Sequence, residues 1–355
     1  MSALRALLSG DFPRSRVLAA LLLAVLAALA VAPFAASGAR ALNAAATICV
    51  FIVLAASYDL LLGYTGIVSF AHTMFYGIGA YGVGLGLAYI GPTWWAVFSG
   101  LATSLVVALA LAFAIGLISL RVRALFFAMI TLAFASVFGV LASQLSDFTG
   151  GEDGRNFQVP ELLRPSHRFL DADVFGRSVD GRLLTYYLVF AAAVALFLVL
   201  LRIVNSPFGR VLQSIRENEF RAEALGYRTV AYRTLANCIA ALAATMAGAL
   251  MALWLRYVGP KTVLSFDVMT DILLMVVIGG MGRMYGAVIG AALFVLAQNY
   301  LQAGMSGVSE ALSGFPWLAR ALHPDRWMLW MGLLFIACVY YFPSGIVGRM
   351  RGREP

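Results

Sequence analysis

Ten stretches of this chain, at 17–36, 41–62, 70–90, 93–120, 124–146, 183–201, 234–255, 268–282, 284–302 and 327–348, hold almost no charged residue. A helix needs about 20 apolar residues to cross the hydrocarbon of a bilayer, and most of these runs reach that length. Charged residues make up 12% of the 355, against roughly a quarter in a soluble domain. With 62% hydrophobic residues and a mean hydropathy of +0.89, the chain reads as an all-α polytopic membrane protein. About ten transmembrane helices are expected, some of them broken or re-entrant. The run at 268–282 is short and carries Asp271, which suits a half-helix or a re-entrant segment.

The net charge of +8 is almost wholly arginine, since Lys261 is the only lysine. In a membrane protein such charge reports topology first, so no nucleic-acid partner is expected. An even number of spans puts both termini on one side. With that side inside, the inner segments hold fifteen of the 25 basic residues, including Arg5, Arg14, Arg121, Arg123 and the RMRGR tail. Both termini are therefore expected to be cytoplasmic. The first span has a basic start, but its apolar run is longer than that of a typical signal peptide, so it is read as a retained helix. Two segments fall outside the lipid: a Gly-, Asp- and Arg-rich outer loop at 147–182, and SPFGRVLQSIRENEFRAEALGY, from Ser206 to Tyr227, inside.

The inner segment begins with Ser206 and Pro207, a capping acceptor followed by a residue whose φ suits a first helical turn. Phe208, Val211, Leu212 and Ile215 then share one helix face, and Gly226 is a natural stop. Acids and bases alternate on the opposite face. Helices that lie on lipid headgroups tend to be rich in Lys and Arg there, so the mixed signs favour a groove on a protein partner over a membrane surface.

GRVLQSIRENEFRAEALGY resembles the cytoplasmic coupling loop of the LivM-like permease subunits of branched-chain amino-acid ABC importers. Three further stretches resemble that family in the right order: YDLLLGYTGIVSFAHTMFYGIGAY, LRVRALFFAMITLAFASVF with TGGEDG after it, and GGMGRMYGAVIGAALF with the final FPSGIVG. The resemblance implies one transmembrane permease domain over 1–355, multi-pass in a bacterial inner membrane and embedded in membrane lipid. Its partners would be a homologous second permease, two ATP-binding-cassette ATPase subunits and a periplasmic solute-binding protein. The coupling helix, 206–226, would sit in a cleft of one ATPase, with Arg210, Arg216, Glu217, Asn218, Glu223 and Gly226 as its coupling residues. The residues themselves support the division of labour. Lys261 follows Pro260, so the chain lacks the G-x-x-x-x-G-K-[ST] phosphate loop; it is not read as an enzyme, it needs no cofactor of its own, and ATP hydrolysis is expected in a separate chain.

The stretch from Gly63 to Tyr89 has no charge but seven glycines, although glycine costs a helix interior about 1 kcal/mol relative to alanine. Gly82 and Gly86 read as a helix-packing ridge, and Gly282, Gly286 and Gly290 as another on one helix face. Gly63, Gly66, Gly77 and Gly79 instead flank polar residues. Interrupted, polar-decorated spans in the two halves of a transporter mark its route. Tyr64, Gly66, Ser69, His72, Thr73, Gly279 and Gly280 are the candidate translocation-path residues, and GYTGIVSFAH and DILLMVVIGGMGR are expected to meet there. His72 reads alternatively as a buried histidine bonded to a neighbouring span. Asp59 is expected to cap a helix or pair with a base, and Asp267 and Asp271 to pair with Arg256 or Lys261. In the tight, acidic TGGEDG turn, Thr149, Gly150, Gly151, Glu152 and Asp153 are the candidate binding-protein contact, with a purely structural turn as the alternative.

Two other classes compete. Gly304-Met305-Ser306-Gly307 spells the G-x-S-G of intramembrane serine proteases, but it falls in or beside an expected outer loop, and the nearest histidine in sequence, His323, lies at another loop edge. An ion-coupled secondary transporter would need a chain of intramembrane carboxylates that is scarce here. Within the importer reading, urea, short amides or other amino acids are alternative solutes.

Overall fold

The computed structural model describes residues 15–35, 38–119, 124–169, 180–311, 323, 326–341 and 345–350. Arg5, Arg14, Arg121, Arg123, residues 170–179 of the outer loop and residues 351–355 of the tail lie outside them. The helices are α1 (Arg16–Ala35), α2 (Ala39–Asp59), α3 (His72–Tyr89), α4 (Trp94–Ser119), α5 (Ala124–Gln144) and α6 (Gly181–Asn205). Then follow α7 (Pro207–Glu217), α8 (Glu219–Ala224), α9 (Thr229–Leu255), α10 (Phe266–Gly279), α11 (Met284–Ala311) and α12 (Trp327–Tyr341). Among the described residues, nine helical segments are long and apolar enough to cross a membrane. The tenth apolar run is helical over the 15 residues of α12.

Hydrophobicity does not sort these helices into core and rim, because lipid is as apolar as leucine; side-chain size does. In the innermost spans, the segment containing α2 and the segment containing α9, 89% and 78% of the most apolar window is buried; in α1 it is 17%. Helix α9 reads ALAATMAGALMA through its middle, and there α3 comes close enough for backbone to touch backbone. A methyl group added at Gly79 would overlap the Thr245 carbonyl, and one added at Gly248 would overlap that of Tyr76. Gly79 is thus a packing residue, and Gly77, whose extra methyl would strike the Leu264 side chain, is another. Gly82 and Gly86 face Gly100 and Ala96 of α4 as the ridge reading expects. In the second ridge Gly286 and Gly290 press against Gly279 and Met275 of α10, but Gly282 is not helical. It sits in the turn before α11 at φ 76°.

At one end of the bundle, a two-stranded antiparallel ladder pairs β1 (Arg155–Asn156) with β2 (Tyr257–Val258), fastening the outer loop to the end of α9. We call this the loop end. At the other, α7 and α8 join α6 to α9; this is the coupling end. Helix α10 alone has 14 residues, about 21 Å at 1.5 Å per residue, and it reaches the 20 residues of a crossing segment only together with the residues from Pro260 that precede it. A single turn, Pro260–Val263, precedes it. Asp267 lies in its first turn, and Asp271 is hydrogen-bonded to Gln298. Among the described residues neither makes the expected ion pair with Arg256 or Lys261. The Gly304-Met305-Ser306-Gly307 tetrapeptide lies within α11 rather than in a loop.

Candidate functional site

The coupling segment is two helices, not one. Its apolar face works as the spacing predicts, with Leu212 and Ile215 buried, but the helix stops at Glu217. Asn218 is extended (φ −158°, ψ 101°), and its side chain accepts a hydrogen bond from the Arg221 backbone N–H, capping α8. Asparagine offers the backbone that alternative to a continuing helix. Ser206 also departs from expectation. Its hydroxyl donates to the Ile203 carbonyl at 2.5 Å and makes no cap, while Pro207 does occupy the first helical turn.

Several ties fix this segment to α9. Arg233 donates to Glu219 at 2.5 Å, Thr229 Oγ1 donates to Glu223 at 2.8 Å, and Phe208 stacks on Tyr232 with ring centroids 5.7 Å apart. Glu223 is therefore bonded within the chain. Arg210, Glu217, Asn218 and Gly226 are exposed, and Gly226 ends the segment in the left-handed region at φ 90°. Sequence reasoning passed over two residues here: Phe220 is 86% exposed and Leu225 72%, large apolar groups presented to solvent beside the polar face. Their signal was two hydrophobes out of register with the Phe208–Ile215 stripe.

Arg216 points the other way, into the bundle. Helix α2 ends in a π-helical turn, Leu60–Thr65, and the chain leaves it at Gly66 with φ 73°. The last carbonyls of any helix lack their usual donors. Here Arg216 Nη1 donates to the Gly63 carbonyl, and its aliphatic stem lies against Gly66. A side chain at Gly66 would meet that stem and would hold an unfavourable φ. Across the same junction, the Gly282 backbone N–H donates to Asp59 Oδ1 at 2.8 Å. Gly282 opens the turn leading into α11, where a carboxylate both accepts a spare N–H and opposes the positive end of the helix dipole. Asp59 thus caps a helix 223 residues away in sequence. The Arg216 guanidinium lies within electrostatic reach of Asp59. The GYTG and GGMG stretches meet, as expected, and the coupling segment meets both.

Of the candidate path residues, Gly66 is exposed, whereas Tyr64, Ser69, His72 and Thr73 are buried in this conformation. His72 Nε2 is 2.8 Å from Ser57 Oγ, and the Ser57 hydroxyl donates to the Leu54 carbonyl. With the Ser57 hydroxyl directed at Leu54, this contact is made by the tautomer that carries its proton on Nε2. Its Nδ1, and the hydroxyls of Tyr58 and Tyr76, are buried with no hydrogen-bond partner among the described residues. Gly279 and Gly280 are buried beside Gly286 and Gly345.

At the loop end, Thr149 is buried and donates to the Ala142 carbonyl at 2.6 Å. Gly150, Gly151 and Gly154 have φ of 89°, 64° and 69°, the left-handed turns the TGGEDG composition predicts. Glu152 and Asp153 are exposed, and the Asp153 carbonyl accepts a hydrogen bond from Tyr257 Oη at 2.8 Å. The turn is thus held by its own backbone and side-chain bonds, and its two acidic residues are exposed.

A family profile described as "Branched-chain amino acid transport system / permease component" matches residues 40–339. The high-affinity branched-chain amino acid transport system permease protein LivM of Salmonella typhimurium is 28% identical over 269 residues, covering 71% of this chain and 61% of that protein. The probable LivM of Methanocaldococcus jannaschii is 29% identical over 163 residues, 45% of each chain. LivH of Escherichia coli is 23% identical over 304 residues, covering 84% of this chain and 91% of LivH. This chain thus spans about six-tenths of the LivM relatives' length. No solved structure matches it. A profile match across most of the chain identifies it as a member of the branched-chain amino acid transport permease family.

Proposed function

We propose that this chain is one of two homologous permease subunits of an ATP-driven importer of branched-chain amino acids in a bacterial inner membrane. As a permease component it serves transport across the membrane rather than catalysis. Two ATP-binding-cassette ATPase subunits bind on the cytoplasmic side and a solute-binding protein on the other, with the coupling end inside. The observation that carries this reading is the exposure of Phe220 and Leu225 on a segment tied through Arg216 to the Gly63 carbonyl at the junction. Exposed aromatic and aliphatic anchors rimmed by mixed charge are what a partner's groove takes up. Arg210, Glu217 and Asn218 form the rim, Glu223 and Gly226 shape the segment, and Arg216 carries its position inward.

Tyr64, Gly66, Ser69, His72, Thr73, Gly279 and Gly280 border the route in this proposal, which opens when the junction shifts. The unpartnered Tyr58, Tyr76 and His72 groups favour such opening. A buried polar group without a partner costs about 1–3 kcal/mol, and a hydrated conformation relieves that cost. Thr149, Gly150, Gly151, Glu152 and Asp153 present a rigid acidic turn to the binding protein.

The test is affinity capture of the tagged chain from mild detergent, followed by mass spectrometry and leucine uptake in liposomes. A second permease and two ATPases in the captured complex, with ATP-dependent uptake, are expected. A lone chain that moves solute without ATP would overturn the reading.

A further inference from the structure

We propose that a cavity at the loop end is a binding subsite for a free amino acid, with Arg164 and Arg256 taking the α-carboxylate. This deepens the importer reading and rests on it, by giving the permease its own solute contact apart from the binding protein. The cavity is a depression open to solvent, about 510 Å³, lined by Asn156, Gln158, Arg164, Ser166, Leu255 and Arg256, among others. That volume falls in the range of small-molecule sites, about 300–1,000 Å³.

Charge argues for a carboxylate ligand. Two arginines are among the lining residues, and no acidic residue is among the described ones. Arg164 donates from Nε to the Val159 carbonyl at 3.3 Å, and its terminal nitrogens have no acidic partner there. The Arg256 side chain makes no hydrogen bond or ion pair among the described residues. Burial, and then the like charge of Arg182, lowers its pKa from the ordinary value, as expected of a cation short of counter-charge. Arg182 is engaged elsewhere: it donates to Asn43 Oδ1 at 3.0 Å and lies over the Trp254 ring. A planar guanidinium matches a carboxylate with two parallel hydrogen bonds.

Backbone conformation argues independently. Arg256 has φ 56° and is the one described non-glycine residue with positive φ. It is held there by two backbone bonds, from its own N–H to the Ala252 carbonyl at 2.8 Å and from the Phe157 N–H to its carbonyl at 3.2 Å. Glycine adopts this conformation freely and an L side chain does not. The turn thus accounts for the φ but not for a guanidinium, and strained residues of this kind gather at ligand sites. The remaining lining suits the rest of a zwitterion with an apolar side chain. Side-chain oxygens of Asn156, Gln158 and Ser166 can accept from an ammonium group, and Leu255 and Pro165 supply apolar contact.

Arg256→Gly separates ligand from fold, because it removes the guanidinium while relieving the backbone. The assembled importer, in nanodiscs without its binding protein, is titrated with tritiated leucine, and leucinamide, which lacks the carboxylate, is used as competitor. Arg256→Gly is expected to weaken leucine binding roughly 10- to 100-fold, the loss of a charged hydrogen-bonded pair. The variant complex should melt no lower than the wild type, Arg164→Gln should weaken binding in the same direction, and leucinamide should compete at least tenfold worse than leucine. Equal leucine affinity in wild type and Arg256→Gly, or equal competition by leucinamide, would overturn the subsite. So would a wild-type complex that imports leucine with its binding protein yet binds none without it, and in that case the importer reading stands. A wild-type complex that imports no branched-chain amino acid under any condition overturns the importer reading and the subsite together.

Discussion

Replacing Arg216 with alanine removes the one side chain that reaches from the coupling segment to the Gly63 carbonyl. A hydrogen bond to a charged group contributes about 1.5–3 kcal/mol, and each 1.4 kcal/mol is tenfold in an equilibrium. Arg216 is exposed along part of its length, so water and salt screen the contact and the lower end applies. The bond therefore biases the junction toward following the coupling segment by roughly tenfold. Phe220 and Leu225 are untouched, so the ATPase subunits should still co-purify. In proteoliposomes that contain the binding protein, leucine uptake and ATP hydrolysis are measured together. Arg216→Ala is expected to lower leucine moved per ATP hydrolysed by about tenfold. Arg216→Lys, which keeps a cationic donor, should recover part of it. An unchanged ratio in Arg216→Ala would refute the reasoning, since the segment would then act on the bundle through its apolar face alone.

Three further perturbations test separate parts of the structure. Phe220→Ala should cost ATPase binding at least about 2 kcal/mol, the scale of an interface hot spot, seen as loss of the ATPases on size exclusion while the permease stays inserted. Gly66→Leu places a side chain against Arg216 at φ 73°, and should block uptake without dissociating the complex; wild-type uptake would remove Gly66 from the route. Gly248→Leu drives a side chain into the Tyr76 carbonyl at the closest approach of α3 and α9, and overpacking of a core costs about 1–3 kcal/mol even where side chains alone must yield. A lowered melting temperature in detergent is expected, whatever the ATPase binding.

The spans were legible because hydropathy is summed over some twenty residues, and single misreadings average out. The coupling segment was legible through Pro207, Gly226 and its apolar stripe. Its break was not: the Phe208–Ile215 spacing runs smoothly toward Glu217, and nothing local distinguishes a capping Asn218 from a solvent-facing one. Glycines were the hardest to sort. Gly79 and Gly282 look alike in sequence, yet one lets two helices touch and the other turns the chain at positive φ, a difference decided by neighbours far along the chain. The Asp59 carboxylate was visible as an anomaly in an apolar run, but its partner, 223 residues away, could only come from the fold.

What the junction adds is a reason why motion at the coupling segment cannot stay local. The chain leaves helical geometry at Gly66 and again between Gly279 and Met284, and each departure frees backbone groups that hydrocarbon cannot satisfy. One is taken up by Arg216 of the coupling segment, the other by Asp59 of α2. Moving the segment outward with an attached ATPase would strip the Gly63 carbonyl of its donor, at about 1–3 kcal/mol if it stays buried. The Gly63 turn avoids that cost only by following Arg216. Asp59 lies one helical turn before Gly63, so a shift of that turn moves the carboxylate that caps α11 and pulls on Gly282. The bonds that repair the two interruptions would therefore also be the linkage through which the proposed partner at Phe220 and Leu225 acts on both halves of the bundle.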